Sequence, residues 1–221
     1  MRQSLREGLL NLLFPWDNQC CLCQRALIGM EHILCSCCEE ELAACVLTLP
    51  ERVSVHAPLT LCISAFAYDG IARQLIHHLK YHSNGIVAPL LGLHMCQALL
   101  TSPAPRDWDA IIPVPLHVSK LRLRGYNQAR LLAQEIASCY RLNLRTDLLF
   151  RTKATQSQTK RTAEERHSAM QGVFAASEQA AGLSILLVDD VLTTGATAAA
   201  CADALLAAGA KAVTLITACQ A

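Results

Sequence analysis

Apolar positions beyond residue 58 follow two alternating patterns along the chain. Short continuous apolar runs predict buried strands, and apolar residues spaced three and four apart predict amphipathic helices. The runs predict strands over 61–68, 110–114, 185–188 and 212–217, and the spacing predicts helices over 71–80, 88–100, 127–140 and 196–209. Strands that alternate with helices in this way are typical of an α/β domain with a mostly parallel sheet.

Two of these elements carry more detailed expectations. Asn127 is the expected N-cap of the helix over 127–140, and we expect Leu132, Ile136 and Cys139 to face the core. The strand over 185–188, the helix after it and the strand over 212–217 form a βαβ unit, whose crossover is right-handed with parallel strands. The loop after Val188 therefore opens at the carboxyl edge of the sheet, where such folds bind ligands.

The first fifty residues have a different composition. Seven of the 12 cysteines lie between Cys20 and Cys45, and a Pro-containing stretch over 48–58 is typical of a linker. We therefore expect an amino-terminal helix that ends at Pro15 and a cysteine module, both within residues 1–50, followed by an α/β domain over 59–221. The other cysteines sit singly in apolar surroundings and are expected to be small buried hydrophobes; they are Cys62, Cys96, Cys139, Cys201 and Cys219.

Composition and charge narrow the class of protein. Hydrophobic residues make up 52% and charged residues 17% of the chain, which favours a globular protein over a disordered one. The formal net charge of +1 excludes a broadly basic nucleic-acid coat, so any nucleic-acid contact is local. Neither the amino-terminal segment nor the alanine-rich stretch over 196–218 has the pattern of an export signal or a membrane span, and we expect a cytoplasmic protein.

Two Cys-x-x-Cys pairs predict a metal site. Cys20 with Cys23 and Cys35 with Cys38 bring two pairs of thiolates together, as tetrahedral Zn²⁺ requires. Cys21 and Cys37 are additional thiols that offer an alternative register of metal ligands. His32 is a weaker candidate ligand. A disulfide is disfavoured by the reducing compartment, and an iron–sulfur cluster by the spacing.

The stretch Val-Asp-Asp-Val-Leu-Thr-Thr-Gly-Ala-Thr over 188–197 carries the most chemistry. Three threonine hydroxyls, a flexible Gly195 and the free N–H groups of a helix start predict an anion site. Asp189 and Asp190, expected at a solvent-facing strand end, suit a ligand with hydroxyls or a divalent cation. Together the anion site and the acid pair favour a sugar phosphate as the ligand. On its own, an acidic pair at the start of a loop is equally often part of a simple turn. The patterns of nucleoside-triphosphate and dinucleotide loops do not occur.

This stretch resembles the 5-phosphoribosyl-1-pyrophosphate (PRPP) signature of type I phosphoribosyltransferases. The chain also contains the motifs Tyr68-x-Gly70, Leu75-Ile76, Lys80-Tyr81, Pro113-Val-Pro-Leu-His117, Arg122-x-Arg-Gly-Tyr-Asn-Gln128, Arg151-Thr-Lys153, Gln158, Arg166 and Gly172-x-Phe174. With these motifs, nearly the whole chain resembles the ComF/GntX family of competence and DNA-utilisation proteins.

The resemblance implies a sheet of the type I phosphoribosyltransferase kind and a small zinc module. It also implies that Asp189 and Asp190 hold the ribose hydroxyls, and that Mg²⁺ accompanies PRPP. The 5-phosphate would be held by Thr193, Thr194, Gly195, Ala196 and Thr197.

A pyrophosphate leaving group needs cations and donors. The candidates are Lys80, His117, Arg122 and Arg124, each of which has the alternative interpretation of a solvated loop charge. The polar segment over 151–172 is a candidate lid, and its run over 156–160 lacks the apolar residue that the family often has there.

We therefore expect a PRPP-dependent phosphoribosyltransferase associated with DNA uptake or nucleotide salvage. The alternative is an accessory protein that senses PRPP or a nucleotide without turnover, and a third interpretation is a zinc-dependent interaction module in a DNA-uptake assembly. The expected partners are PRPP or a ribose phosphate, and single-stranded DNA or the DNA-uptake machinery.

Overall fold

A computed structural model of the chain describes residues 19–27, 33–47, 58–81, 85–152 and 172–221. The chain divides into two compact units, Met1–Ala44 and Cys45–Ala221. Several expectations fall outside the described residues and stay predictions. They are the amino-terminal helix that ends at Pro15, most of the linker over 48–58, the ligand candidate His32, and the polar segment over 153–171 with Lys153, Gln158 and Arg166.

The first unit contains a hairpin-like turn followed by a helix. Gln19 and Ala26 form an antiparallel bridge around the first Cys-x-x-Cys pair. Helix α1 (Ser36–Ala43) then begins directly after Cys35 and buries Cys38 and Leu42.

The second unit is an α/β domain in which helices alternate with strands. Its elements, in chain order, are β1 (Leu61–Ala67), α2 (Gly70–Tyr81), α3 (Ala88–Thr101), β2 (Ala110–Pro113), α4 (Val118–Arg124), α5 (Gln128–Tyr140), β3 (Leu149–Arg151), β4 (Phe174–Ala176), β5 (Ser184–Leu192), α6 (Ala196–Ala207) and β6 (Ala212–Gln220).

Four of the strands form one parallel sheet in the order β1-β6-β5-β2. Strands β3 and β4 pair with each other in an antiparallel ribbon. The mostly parallel α/β fold expected from the sequence is therefore confirmed. Because the four strands are parallel, their carboxyl ends meet at one edge of the sheet.

The core lies on this sheet. Strand β5 is buried along Ser184 to Val188, as expected for a central strand covered on both faces. Helix α5 begins at the predicted cap, where Asn127 accepts a hydrogen bond from the Ala129 N–H at 3.1 Å. Helices α3 and α5 approach closely at Gly92, where a Cβ would collide with Glu135.

Two expectations about individual elements are wrong. Strand β5 does not end at Val188 but continues to Leu192, because Val191 and Leu192 keep their pairing with Cys219 and Gln220 of β6. Cys139 is exposed and not turned to the core, since it lies beyond Ile136, the last buried residue of α5. The other four single cysteines, Cys62, Cys96, Cys201 and Cys219, are buried.

Candidate functional site

The two adjacent acids lie at the carboxyl edge of the sheet, inside β5 and not in a loop. Successive side chains of a strand point to opposite faces, so Asp189 lies on the face of Ile185 and Leu187, and Asp190 lies on the other. Both residues are half-buried. The expectation of a solvent-facing strand end is therefore wrong, because the longer pairing with β6 covers this part of β5.

Lys80 meets Asp190 across this edge. Helix α2 buries an apolar stripe that includes Leu75, Ile76 and Leu79, and this packing carries its last turn to the end of β5. The Lys80 Nζ lies 3.1 Å from the Asp190 Oδ2, and the two side chains are 22% and 15% exposed. The structure thus brings together one predicted cation and one predicted acid as an ion pair.

Asp189 has a perturbed acidity. Burial and the neighbouring Asp190 raise the pKa of its carboxyl to about 7, although Lys80 and Arg151 act in the opposite direction. The Asp190 N–H donates a hydrogen bond to Asp189 Oδ1 at 2.8 Å. Asp189 is therefore a carboxyl that an added cation or hydroxyl group would readily engage at neutral pH.

The turn after β5 leads directly into α6. Thr193 and Thr194 are exposed, and Gly195 has φ 74°, a left-handed conformation that favours glycine. The first amides of a helix have no partner within that helix, so those at the start of α6 are available to an anion. Thr197, half-buried in the first turn of α6, adds a hydroxyl at the same place.

His117 has a structural contact at the start of α4. Its ring Nδ1 accepts a hydrogen bond from the Ser119 N–H at 3.2 Å and lies 2.7 Å from the Ser119 hydroxyl. The imidazole is thus the N-cap of this helix.

Arg124 is held in place by two other elements. Its guanidinium donates to Gln128 Oε1 at 2.9 Å and to the Tyr81 hydroxyl at 3.3 Å, and lies 5.1 Å from the centre of the Tyr81 ring. Tyr126 donates to the Leu79 carbonyl at 2.7 Å. The Arg-Gly-Tyr-Asn-Gln motif therefore attaches α4 and α5 to the end of α2. Arg122, on the same helix as Arg124, is exposed.

Two further cations lie at this edge. Lys120 is half-buried, and burial together with the charges of Arg124, Arg151 and Lys80 lowers the pKa of its ammonium group. Arg151, in β3, lies 5.3 Å from the centre of the Phe174 ring, and its charge acts on Asp189. Sequence reasoning missed Lys120 altogether and placed Arg151 in a loop. The available signal was the four-residue spacing of Lys120 and Arg124, which puts both on one helix face.

A cleft of about 550 Å³ opens beside the end of β2. Its walls include the apolar Leu116 and Leu131, and its polar groups include Arg130 and Gln134. A concave, mostly apolar space with a few polar groups is the usual form of a small-molecule site.

The four predicted cysteine ligands converge in the first unit. The sulfur atoms of Cys20, Cys23, Cys35 and Cys38 all lie within 4.8 Å of one another, and those of Cys23 and Cys35 are 3.5 Å apart. Tetrahedral zinc with Zn–S bonds of about 2.3 Å separates its sulfurs by about 3.8 Å, so the donor set fits the metal.

The thiols of the cluster differ in acidity: burial and hydrogen bonds with neighbouring thiols raise the pKa of Cys38, whereas the pKa of Cys20 is lowered. Burial raises the pKa of the Cys20 thiol, but backbone hydrogen bonds outweigh it and lower the pKa to about 6, which favours the thiolate that binds metals. Cys37 lies outside the group of four and accepts a hydrogen bond from Arg25 at 2.9 Å. Cys21 is also outside it.

Among the described residues, no helix combines the length and the apolar character that crossing a membrane requires.

Comparison with known proteins identifies the class. The phosphoribosyl transferase domain family matches residues 124–221, the part of the chain that holds β5, the acid pair, the turn and α6. Together with the parallel sheet, this match defines a phosphoribosyltransferase-type domain next to a four-cysteine cluster.

Relatives extend the similarity over most of the chain. The DNA utilization protein YhgH of Salmonella typhimurium is 28% identical over 204 residues, 91% of this chain and 89% of the relative. Competence protein ComFC of Bacillus subtilis is 26% identical over 94% of this chain and 85% of the relative. Competence protein F of Haemophilus influenzae is 35% identical over 92 residues, 40% of each chain. Over most of its length the chain is therefore similar to proteins of the ComF family.

A solved structure of the glutamine PRPP amidotransferase from Bacillus subtilis, complexed with ADP and GMP, is 17% identical with a TM-score of 0.43. The match covers 64% of this chain and 30% of the amidotransferase, so the chain spans about a third of that protein's length.

Proposed function

We propose that the second unit binds PRPP with Mg²⁺ and transfers its ribose 5-phosphate to an acceptor. The observation that carries this proposal is the placement of an acid pair, Asp189 and Asp190, one turn before the helix start at Ala196. Carboxylates accept hydrogen bonds from sugar hydroxyls, and amides at a helix start bind phosphate. A ribose 5-phosphate carries hydroxyl groups and a phosphate in one molecule.

In this proposal each residue has a defined task. Asp189 and Asp190 hold the ribose hydroxyls, and the residues from Thr193 to Thr197 hold the 5-phosphate. Lys80 and Arg124 face the pyrophosphate, whose bond to C1 breaks as the acceptor forms a new bond there. Positioning and electrostatic stabilisation of the leaving group are enough for such a transfer.

The two carboxylates are also the hard oxygen donors that Mg²⁺ prefers, so the residues present fit this ion. Bound there with PRPP, Mg²⁺ would supply positive charge to the departing pyrophosphate. The raised pKa of Asp189 supports the same interpretation, because a nearby cation stabilises the ionised carboxyl.

Calorimetric titration with PRPP and Mg²⁺ tests the binding step. We expect the parent protein to bind and the double variant Asp189→Asn, Asp190→Asn to lose at least about tenfold in affinity, since both lose charge-assisted hydrogen bonds. Asp203→Asn, in the middle of α6, is the matched control and should bind like the parent. Equal PRPP affinity in the double variant would contradict the proposed site.

A second assay separates transfer from sensing. A transferase would use the charge of Lys80 to stabilise the pyrophosphate leaving group. In the structure Lys80 is paired with Asp190, and this pairing favours the alternative of a sensor without turnover. Incubation with PRPP, Mg²⁺ and a panel of nucleobases and amines, followed by pyrophosphate measurement, decides between them. Release above the acceptor-free rate supports transfer, whereas binding without release supports sensing.

The names of the relatives support a proposal about the biological setting. They are DNA utilization and competence proteins, and we propose that this chain acts in DNA uptake or the salvage of nucleotides from it, in the cytoplasm, with single-stranded DNA or the uptake machinery as partners. The four thiols hold a structural Zn²⁺ in this proposal, within an amino-terminal module over 1–50 that precedes the domain over 59–221. Filter binding of a labelled single-stranded oligonucleotide, with and without chelator, tests the DNA contact.

A further inference from the structure

Two cysteines that are far apart in the sequence meet where helices α3 and α5 pack together. Cys96 lies on α3 and is 8% exposed, whereas Cys139 lies in the last turn of α5 and is exposed. A side-chain hydrogen bond links the two thiols. Neither cysteine belongs to the converging group of four in the first unit, and neither has a task in the transfer proposed above.

The packing of the two helices brings this pair of thiols together. A Cβ on Gly92 would collide with the Glu135 side chain and would lie only 3.8 Å from the Glu135 Cα. Cys96 and Cys139 follow these two residues by four positions each, which is about one helical turn. Because both contacts advance in the same direction along the chain, the helices run parallel here. At this second contact the Tyr140 hydroxyl donates to the Cys96 carbonyl at 3.1 Å.

The two thiols differ in exposure and in acidity. Burial, the hydrogen bond with Cys139 and the charge of Glu135 raise the pKa of the Cys96 thiol to about 12. Cys96 therefore stays protonated at neutral pH, and an oxidant in solution reaches the exposed Cys139 first. A sulfenic acid that forms beside a second thiol condenses with it to a disulfide.

We propose that Cys96 and Cys139 are a site of reversible covalent modification, at which hydrogen peroxide converts the two thiols to a disulfide. The Cys139 sulfur attacks one peroxide oxygen and the O–O bond breaks. Cys139 becomes a sulfenic acid, and the released hydroxide takes the thiol proton and leaves as water. The Cys96 sulfur then attacks the sulfenic sulfur, the S–O bond breaks, and a second water leaves with the Cys96 proton. Two thiols are oxidised and one peroxide is reduced to two waters.

The disulfide would enclose a functional part of the chain. The segment between Cys96 and Cys139 contains β2, α4 and most of the residues that line the cleft beside β2. Cross-linking the ends of this segment restricts the unfolded chain more than the folded one, so oxidation stabilises the fold. In a reducing compartment such a disulfide is transient, because cellular thiols return it to the two-thiol form.

Peptide mapping tests the pair directly. The full chain, purified under reducing conditions and freed of reductant, is treated with hydrogen peroxide, alkylated and digested with trypsin, which cleaves at several sites between the two cysteines. We expect one cross-linked pair of peptides that contains Cys96 and Cys139 and disappears after reduction. Cys139→Ala should abolish this cross-link. Cys62→Ala, which changes a buried cysteine of β1, is the control and should keep it.

Thermal unfolding gives a second measurement, which a merely packed pair of thiols would not change. We expect peroxide treatment to raise Tm by at least about 5 °C in the parent relative to Cys139→Ala treated in the same way. This comparison cancels any effect of oxidation at the four-cysteine cluster, which both proteins retain. Cys62→Ala should behave like the parent, and a dithiol reductant should return its Tm to the starting value.

Three results would overturn the proposal. The first is a disulfide that joins Cys139 to another cysteine or to a second molecule. The second is a sulfinic acid on Cys139 while Cys96 stays reduced. The third is an equal change of Tm in the parent and in Cys139→Ala. The binding of PRPP involves neither cysteine, so these results leave the function proposed above unaffected.

Discussion

At the residue scale, the acid pair shows how position changes the chemistry of a side chain. Asp189 and Asp190 are neighbours in sequence, yet the pleat of β5 separates their environments. Asp190 has a lysine at 3.1 Å, while burial and the charge of Asp190 dominate the environment of Asp189. In the sequence, the Thr-Thr-Gly that follows these acids identifies them as candidate ligand-binding residues. Their burial, however, depends on pairing with β6, a strand more than twenty residues later.

The raised pKa of Asp189 makes stability depend on pH. Between about pH 4 and pH 7 the folded chain binds this proton more tightly than the unfolded chain does, so this carboxyl stabilises the fold at low pH and that stabilisation is lost as pH rises through about 7.

Asp189→Asn should remove this dependence. Without Mg²⁺, we expect the variant to be more stable than the parent at pH 8, by on the order of 2 kcal/mol after allowance for partial exposure, with the gap closing towards pH 4. Urea unfolding of both proteins at pH 8 and pH 4 measures this difference in the free energy of unfolding. A gap that is equal at both pH values, or that reverses at pH 8, would contradict the raised pKa.

At the scale of elements, the turn between β5 and α6 combines a backbone requirement with a proposed binding role. Gly195 is at φ 74° immediately before the helix, and a side chain there adds strain of about 1–2 kcal/mol. Gly182 has nearly the same backbone, φ 77°, at the turn before β5, and a Cβ there would meet nothing within 4 Å.

The two glycines allow a matched comparison. Gly195→Ala and Gly182→Ala should lose similar stability, about 1 kcal/mol each, because both force alanine into the left-handed region. Only Gly195→Ala should also weaken ribose 5-phosphate binding, by about tenfold, since it alters the amides at the start of α6. Chemical denaturation measures the loss of stability, and calorimetry measures the affinity for ribose 5-phosphate. Equal ribose 5-phosphate affinity in both variants would show that the turn is not part of the binding site.

Local patterns predict most of the elements but not every part of the candidate site. The long helices and the strands of the sheet begin and end within a few residues of the predicted positions, because their apolar periodicity is strong. Helix α4 is not predicted. It has only seven residues and its apolar side chains are exposed, so it lacks the usual apolar stripe that faces the core. Strand β3 is missed because its partner β4 lies more than twenty residues away, and Arg151 is therefore expected in a loop.

At the scale of the whole molecule, the chain joins two units with different sources of stability. The second unit has a continuous apolar core on a four-stranded sheet. The first is too small to bury such a core, and metal binding is its expected source of folding energy.

Elemental analysis of protein purified under reducing conditions should find about one zinc per chain. Cys38→Ser should lose most of the zinc, because it removes one of the four converging thiols. Cys37→Ser is the matched control: it changes the neighbouring, exposed thiol that contacts Arg25 and should retain the metal. Loss of zinc from Cys37→Ser with retention in Cys38→Ser would mean that the other register is used.

The continuation of β5 beyond the acid pair has a consequence for how a ligand is accommodated. The backbone around Asp189 and Asp190 is fixed in the hydrogen-bond ladder with β6 through Leu192. These carboxylates are thus anchored as firmly as the sheet itself, and only their side-chain torsions can adjust. If the acid pair holds the ribose as proposed, discrimination between sugar epimers should arise from the fixed positions of these carboxylates, and not from closure of the protein around whichever sugar binds.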